Sequence, residues 1–278
     1  MAGTVLLTNC DITGGTFEST GDGRIQVNAA GPGTILRGIT NNGIIRLPND
    51  SDCYLLGGMT NNGTIEVLAA GNGTDLYFGD NYVLSGTGTI ALSNSVNNQF
   101  YDVTGGNQGR TLTNAGNTIT GSGRIGLNTI SIVNQAAGSI LATSSSGITI
   151  DPGNTFVNEG TLRAESGSFL NLVTGSYTFT APAVAGTGGV ILFTNGTYTG
   201  LIGSEGTGVC RLNAAGPSTV FNNLTNLGEL EFPNDFDATF SGTLSNQGLI
   251  DMRAVGNGTD FYLSSNLLLT GTGTIALS

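Results

Sequence analysis

The chain has 278 residues, of which 46 are glycine and only 10% are charged, and its formal net charge is −11. It contains no histidine, which excludes Cys–His and Ser–His–Asp nucleophilic sites, and its acidic balance argues against nucleic-acid binding. No apolar run approaches the roughly 18 residues that a membrane-spanning helix needs, so we expect no membrane insertion.

The first predicted elements are short strands separated by polar corners. Residues 64–67, Thr-Ile-Glu-Val, alternate apolar and polar side chains, as in a strand with one buried face. Each such strand follows a corner of the form Asn-x-Gly, first at 41–43 and again at 61–63. We expect these corners to be turns in which Asn tolerates the left-handed region and Gly adopts a positive φ.

The same corner returns later in the chain, at 158–160, 226–228 and 246–248. Asn41 and Asn61 are 20 residues apart (61 − 41), as are Asn226 and Asn246 (246 − 226). A unit of roughly 20 residues cannot bury its own apolar face, so such units must stack, with parallel strands at about 4.8 Å spacing.

The sequence therefore predicts an all-β fold, a right-handed parallel β-helix (a single-stranded β-solenoid) of about 12–14 coils of roughly 20 residues, with its asparagines stacked as a ladder. An antiparallel sandwich or barrel is the alternative, but it would not need a corner residue at a fixed phase.

A long duplication overlies these short units. Residues 28–32, Asn-Ala-Ala-Gly-Pro, recur at 213–217, an offset of 213 − 28 = 185, and residues 86–93 recur unchanged at 271–278. The segment between the copies is a more divergent third copy. We expect one continuous solenoid over 1–278 with internal blocks 1–93, 94–187 and 188–278, the first and third being the most similar.

The duplication also helps to assess candidate sites, since a site built into the repeat should recur. Asp50 and Asp52 of the motif Pro-Asn-Asp-x-Asp recur as Asp235 and Asp237, and these carboxylates could hold Ca²⁺. The competing interpretation, which we favour, is a proline-initiated turn whose Asn and Asp side chains bond the backbone. The prediction is therefore no cofactor, with calcium as the alternative.

A second acidic motif, Gly-Asn-Gly-Thr-Asp, ends at Asp75 and again at Asp260. It is faintly similar to the Gly-rich repeat that binds Ca²⁺ in RTX β-rolls, but it is isolated here, which favours a tight turn. The three cysteines match no metal-ligand spacing. At the offset of 185 residues, Cys10 aligns with Asn195, Cys53 with Ala238 and Cys210 with Ile25, so these positions readily take small or apolar residues. We therefore expect the cysteines to be packing residues.

The apolar-Thr-Asn-x-Gly-x-Ile units and the Gly-Thr-Gly-Thr-Ile block ends resemble the low-complexity β-helix repeats of secreted bacterial proteins. These include autotransporter passengers, filamentous-haemagglutinin-like adhesins and giant surface repeat proteins. The resemblance covers nearly the whole chain. It implies an extracellular or cell-surface location, with the signal outside this segment, and a role in adhesion, scaffolding or filament formation. It implies a host or matrix glycan or protein surface as partner, and it assigns no binding residue.

The functional prediction is thus a structural or adhesive segment that is not an enzyme. Because neither terminus carries a capping element, we expect coils to self-associate end to end. The alternative is a glycan-binding β-helix, or a lyase or glycosidase drawing carboxylates from Asp50, Asp52 and Glu66. A threonine array for binding glycan or ice is a third class, but the sequence Thr-Gly-Thr at 87–89 recurs at 272–274 and not on every coil.

Overall fold

The computed structural model describes residues 3–28, 30–31 and 33–278. The described ranges contain 31 strands and no helix, and the strands pair in parallel throughout. No helix that could cross a membrane is found in this part of the chain. The predicted parallel β-solenoid is therefore confirmed, and an antiparallel sandwich or barrel is excluded.

Strands β1 to β10 are Thr4–Leu7, Asp11–Thr13, Thr16–Phe17, Arg24–Val27, Thr34–Asn41, Ile44–Pro48, Cys53–Asn61, Thr64–Leu68, Thr74–Phe78 and Tyr82–Ser85. Strands β11 to β21 are Thr89–Leu92, Asn98–Asp102, Thr111–Asn114, Thr118–Gly121, Gly123–Ile125, Ser131–Asn134, Ser139–Ala142, Ile148–Ile150, Thr155–Asn158, Thr161–Ala164 and Phe169–Val173. Strands β22 to β31 are Ser176–Ala185, Val190–Thr194, Thr197–Ser204, Val209–Leu212, Val220–Asn226, Glu229–Phe232, Ala238–Asn246, Leu249–Met252, Phe261–Thr270 and Thr274–Leu277.

The strands form three stacks, and each coil contributes one segment to each stack. Stack 1 contains β1, β4, β6, β8, β11, β14, β17, β20 and the second halves of β22, β24, β26, β28 and β30. Stack 2 contains β2, the first halves of β5 and β7, then β9, β12, β15, β18, β21, β23, β25, β27, β29 and β31. Stack 3 contains β3, the second halves of β5 and β7, then β10, β13, β16, β19 and the first halves of the five long strands from β22 to β30.

About 13 coils of about 21 residues result, within the predicted range of coil number and length. At roughly 4.8 Å per coil the stack is about 60 Å long. Alternate residues of each strand point inward, and equivalent inward residues lie above one another. One stack of rings in the interior consists of Phe156, Tyr177, Tyr198, Phe221, Phe240 and Phe261, with neighbouring centroids 3.9 to 5.7 Å apart.

Buried asparagines join the coils in two ladders, the first where stack 3 ends (Asn41 to Asn158) and the second where stack 1 ends (Asn226 and Asn246). The Asn41 side chain donates to Asn61 Oδ1 at 2.7 Å, and Asn61 donates to Asn117 Oδ1 at 2.8 Å. The ladder continues with Asn114, which donates to Asn134 Oδ1 at 2.9 Å. Asn134 donates to Asn158 at 2.8 Å, and Asn226 donates to Asn246 at 2.9 Å. The predicted asparagine ladder is confirmed.

The glycines of these corners serve a different purpose from the one expected. At 41–43 and 61–63, neither the asparagine nor the glycine has a positive φ, so the left-handed turn predicted from Asn-x-Gly is wrong. Gly63 is required for a steric reason, because a Cβ there would lie 2.1 Å from the carbonyl oxygen of Gly43 on the preceding coil. Close approach between coils, rather than backbone conformation, therefore explains this glycine.

The 185-residue duplication does not return to the same stack. Starting from Ile25, eight pairing steps along stack 1 lead through Ile45, Ile65, Ile90, Ile119, Ile140, Leu162 and Ala183 to Ile202. The duplicate of Ile25 is Cys210 (25 + 185), which lies in stack 2. The two copies are thus separated by eight coils and one further stack. Equivalent surface residues consequently face directions about one third of a turn apart.

Candidate functional site

An acidic corner lies where stack 2 begins, and we define it as Asp52, Asp75, Tyr77 and Tyr101. Asp52 Oδ1 accepts a hydrogen bond from the Asp75 backbone N–H at 3.2 Å, which ties two consecutive coils together. Asp75 Oδ2 accepts from the hydroxyls of Tyr77 at 3.0 Å and Tyr101 at 3.2 Å. The corner is therefore a network spanning three coils.

Burial governs the electrostatics of this corner. Asp75 is only 8% exposed, and no described group donates to its Oδ1. Desolvation raises the pKa of Asp75 and of Asp52 above the usual 3.8, against the opposing effect of their hydrogen bonds. Desolvation also raises the pKa of the Tyr77 hydroxyl, so this group remains a donor at neutral pH.

The acidic corner recurs in the second copy, as expected of a site that is built into the repeat. Asp237 Oδ1 accepts from the Asp260 backbone N–H at 2.8 Å, and Asp260 Oδ2 accepts from the Tyr262 hydroxyl at 3.1 Å. These residues correspond to Asp52, Asp75 and Tyr77 at the offset of 185. Because of the rotation between copies, the first corner is on stack 2 and the second is on stack 3.

The sequence-predicted calcium candidates are divided by the structure. Asp52 and Asp237 belong to the two acidic corners, whereas Asp50 and Asp235 are exposed residues with φ of 66° and 68°. Ser51 N–H donates to Pro48 O at 3.1 Å, closing the proline-initiated turn. No group of three His, Cys, Asp or Glu side chains suited to a metal ion occurs among the residues searched.

The acidic corner makes stability depend on pH in a defined direction. Because the folded-state pKa of Asp75 is raised, the folded state retains this proton at pH values where the unfolded chain loses it. The stabilising contribution is complete below pH 3.8 and is lost as the pH rises through the folded pKa. We expect Asp75→Asn, which keeps an oxygen acceptor for the tyrosines, to raise the melting temperature at pH 7 but not below pH 3.8.

The control is Asp50→Asn, which makes the same charge change at an exposed site. It should raise the melting temperature at pH 7 by less than Asp75→Asn does. A larger loss of stability for Asp75→Asn at pH 7 than in acid would contradict the assignment.

Two of the residues considered for glycan hydrolysis, Asp52 and Glu66, are engaged in local structural contacts. Glu66 points out of stack 1, where the Arg46 guanidinium binds it at 2.5 Å. Asp52 instead accepts backbone N–H groups from the coils on either side of it, those of Gly31 and Asp75. Each of these two carboxylates thus has a local structural partner.

The cysteines are free thiols inside or beside the core. Cys53 and Cys210 are buried, and desolvation raises the pKa of both thiols, that of Cys210 to about 12. Such thiols are poor nucleophiles at neutral pH. Cys10 is partly buried against the same core.

A regular hydroxyl-bearing surface lies on stack 3, and the sequence interpretation missed it. The outward positions of β13, β16, β19, β22 and β24 form two rows, which we call the hydroxyl face: Thr111, Ser131, Thr155, Ser176 and Thr197 in one row, and Thr113, Val133, Val157, Thr178 and Thr199 in the other. Ser131 is covered and only 9% exposed. Its signal in the sequence was Thr/Ser-x-Thr/Val followed by Asn, at 111–114, 131–134 and 155–158. Unequal coil lengths of 20 to 24 residues hid it.

Comparison with known proteins identifies no relative. No family model matches the chain, and no curated protein and no solved structure matches it.

Proposed function

We propose that this chain is a structural and adhesive β-solenoid segment of an extracellular or cell-surface protein, one that extends by adding coils end to end. The observation that carries the proposal is the uninterrupted parallel stack of about 13 coils with its buried asparagine ladder. Such a stack makes a stiff rod whose surface is displayed in repeats. The resemblance of its corner motifs to the β-helix repeats of secreted adhesins supports the same location and role.

The last coil supports extension by stacking. Leu263, Leu269 and Ile275 occupy inward positions above Phe240, Leu244 and Ile250, yet Leu263 is 61% and Leu269 52% exposed. No further described strand pairs with the free edges of β30 and β31. At the opposite end, β1 pairs with β4 alone, and Val5 is exposed at its inward position. Open apolar interiors and free parallel edges are the surfaces that a further coil covers.

The occupant we infer for the last coil of the 278-residue chain is the first coil of a second copy. Sedimentation velocity should show species that grow with concentration, and electron microscopy should show rods longer than the roughly 60 Å of one copy. Leu263→Lys should shift the distribution to monomer, because a charge would be buried in the junction.

Leu227→Lys is the matched control, since Leu227 is 48% exposed on the side of the rod. It should leave the distribution unchanged. A wild-type chain that stays monomeric at high concentration, or equal effects of the two lysines, would refute end-to-end assembly.

One observation favours a second candidate, a glycan-binding face. Tyr54, Tyr77 and Tyr101 occupy the same outward position on three successive coils of stack 2, with ring centroids 6.5 and 4.9 Å apart. Partly exposed aromatic rings beside the Asp75 carboxylate provide apolar and polar contacts of the kind that recognise sugars. Retention on an immobilised polysaccharide that is lost with Tyr54→Ala would support this candidate, and passage of the wild-type chain would exclude it for that polymer.

A further inference from the structure

The hydroxyl face is a two-dimensional grid with nearly constant spacing. Equivalent residues on successive coils are separated by about 4.8 Å, and the two rows, which lie two residues apart on each strand, by about 6.7 Å. The register runs without a shift through five strands in these rows, from Thr111 to Thr197 and from Thr113 to Thr199. All ten positions are Thr, Ser or Val, and the nine other than Ser131 are partly or fully exposed, so each of those nine offers a hydroxyl, a methyl group or both.

Ordered packing beneath the grid supports it. The asparagine ladder Asn114–Asn134–Asn158 immediately follows the second row, and side-chain ladders are a recognised way to hold a sheet without twist. Tyr177 and Tyr198 lie between the rows on the inner side, stacked 4.9 Å apart and bonded to backbone carbonyls. The β-branched Thr and Val side chains have few χ1 rotamers, so little entropy is lost when they are immobilised.

Some threonine hydroxyls on the rod are already paired with a neighbouring hydroxyl. Thr60 pairs with Ser85 at 3.0 Å, and Thr120 pairs with Thr143 at 3.2 Å. Within the described chain, no side-chain hydrogen bond engages the hydroxyl of Thr113, Thr178 or Thr199. These groups remain available to a partner outside the chain.

Charge and area restrict what that partner can be. The grid contains no charged residue although the chain carries −11, so its partner is neutral. The grid measures about 19 by 7 Å, a few hundred Å² at most, far below the roughly 800 Å² per partner of a stable protein interface. A folded protein or a second copy is therefore disfavoured, as is a sugar chain that needs aromatic stacking, because no ring faces outward in these rows.

We propose that the hydroxyl face binds the surface of ice. Ice is an uncharged lattice with hydrogen-bond donors and acceptors at regular intervals. Each row of the grid can therefore contact regularly spaced donors and acceptors of the ice surface. Water beside the methyl groups has restricted orientations, and the hydroxyls hold the same layer in place. The ordered layer then joins the crystal. This binding is independent of end-to-end assembly, although stacking would lengthen the array.

The test is the partition of the purified chain into slowly grown ice, together with thermal hysteresis. The wild-type chain should concentrate in the ice fraction and lower the freezing point relative to the melting point. Thr178→Tyr and Ser176→Tyr each place a bulky ring within one row, and each should reduce incorporation to that of a protein that does not bind ice. Both positions are exposed on a strand that favours tyrosine, and a melting curve verifies the fold.

Thr161→Tyr is the matched control, because Thr161 is an exposed threonine on β20 in stack 1. It should retain wild-type partition. Exclusion of the wild-type chain from ice, or an equal loss in the control, would overturn the proposal. Adsorption to crystalline cellulose through Thr178 and Ser176, with exclusion from ice, would likewise overturn it and identify a polysaccharide lattice instead.

Discussion

Replacing Asn134 by alanine should destabilise the middle of the rod by about 2–4 kcal/mol. Asn134 is fully buried, accepts from Asn114 at 2.9 Å, and donates to Asn158 at 2.8 Å and to the Thr161 carbonyl at 3.0 Å. Alanine removes these bonds and leaves buried amide groups on both neighbouring coils with fewer partners. Each buried polar group left unsatisfied costs about 1–3 kcal/mol.

The measurement is urea denaturation combined with hydrogen exchange, since a stack of coils can open locally. Faster exchange should be centred on β16 and its neighbours β13 and β19. Asn62→Ala is the control, because Asn62 forms a similar rung with Asn42 at 3.0 Å but is exposed, and its loss should cost less than about 0.5 kcal/mol. Equal costs for the two variants would show that burial does not give the ladder its strength.

Replacing Gly63 by alanine should cost roughly 3 kcal/mol or more. The added Cβ would lie 2.1 Å from the Gly43 carbonyl oxygen and 2.8 Å from the Gly43 nitrogen. Both obstacles are backbone atoms of the preceding coil, so the clash cannot be relieved by turning a side chain. The coils would have to separate, which would disturb the adjacent Asn41–Asn61 rung as well.

Gly71→Ala is the matched control, because its Cβ would meet nothing within 4 Å and its φ lies outside the left-handed region. We expect it to change the free energy of unfolding by no more than about 0.5 kcal/mol. The two variants should be compared by chemical denaturation in the same buffer. A Gly63→Ala chain as stable as Gly71→Ala would mean that the coils do not approach as closely as described.

Local sequence signals were sufficient to predict the fold class. Alternation in strands such as 64–67 specifies one buried face, and Asn-x-Gly at 20-residue intervals specifies a corner that returns once per coil. Both signals depend on a residue and its near neighbours, so they are readable without coordinates. The parallel coils, their number and the asparagine ladder were predicted on this basis, whereas the conformation of the corner glycine was predicted wrongly.

The candidate sites were less accessible to sequence reasoning. Asp52 and Asp237 were singled out as ligands of a possible cation, but not as acceptors of backbone N–H groups from neighbouring coils. Tyr101, which completes the first acidic corner, lies 26 residues from Asp75 (101 − 75). Such contacts depend on coil length, which varies along stack 1 from 19 residues, between Ala183 and Ile202, to 29, between Ile90 and Ile119.

The residue pattern specifies that each short unit has an apolar side and a polar corner, and hence that the units must stack. Which outward residues lie side by side, and which direction each copy faces, became visible in the folded chain. The physical reason is that side-chain position across coils depends on the summed length of all intervening corners. An extra residue in a corner leaves the local pattern of apolar and polar residues unchanged. The register between coils is set by strand pairing, which the local pattern does not show. The hydroxyl face and the one-third-turn displacement of the duplicate are both results of that summation.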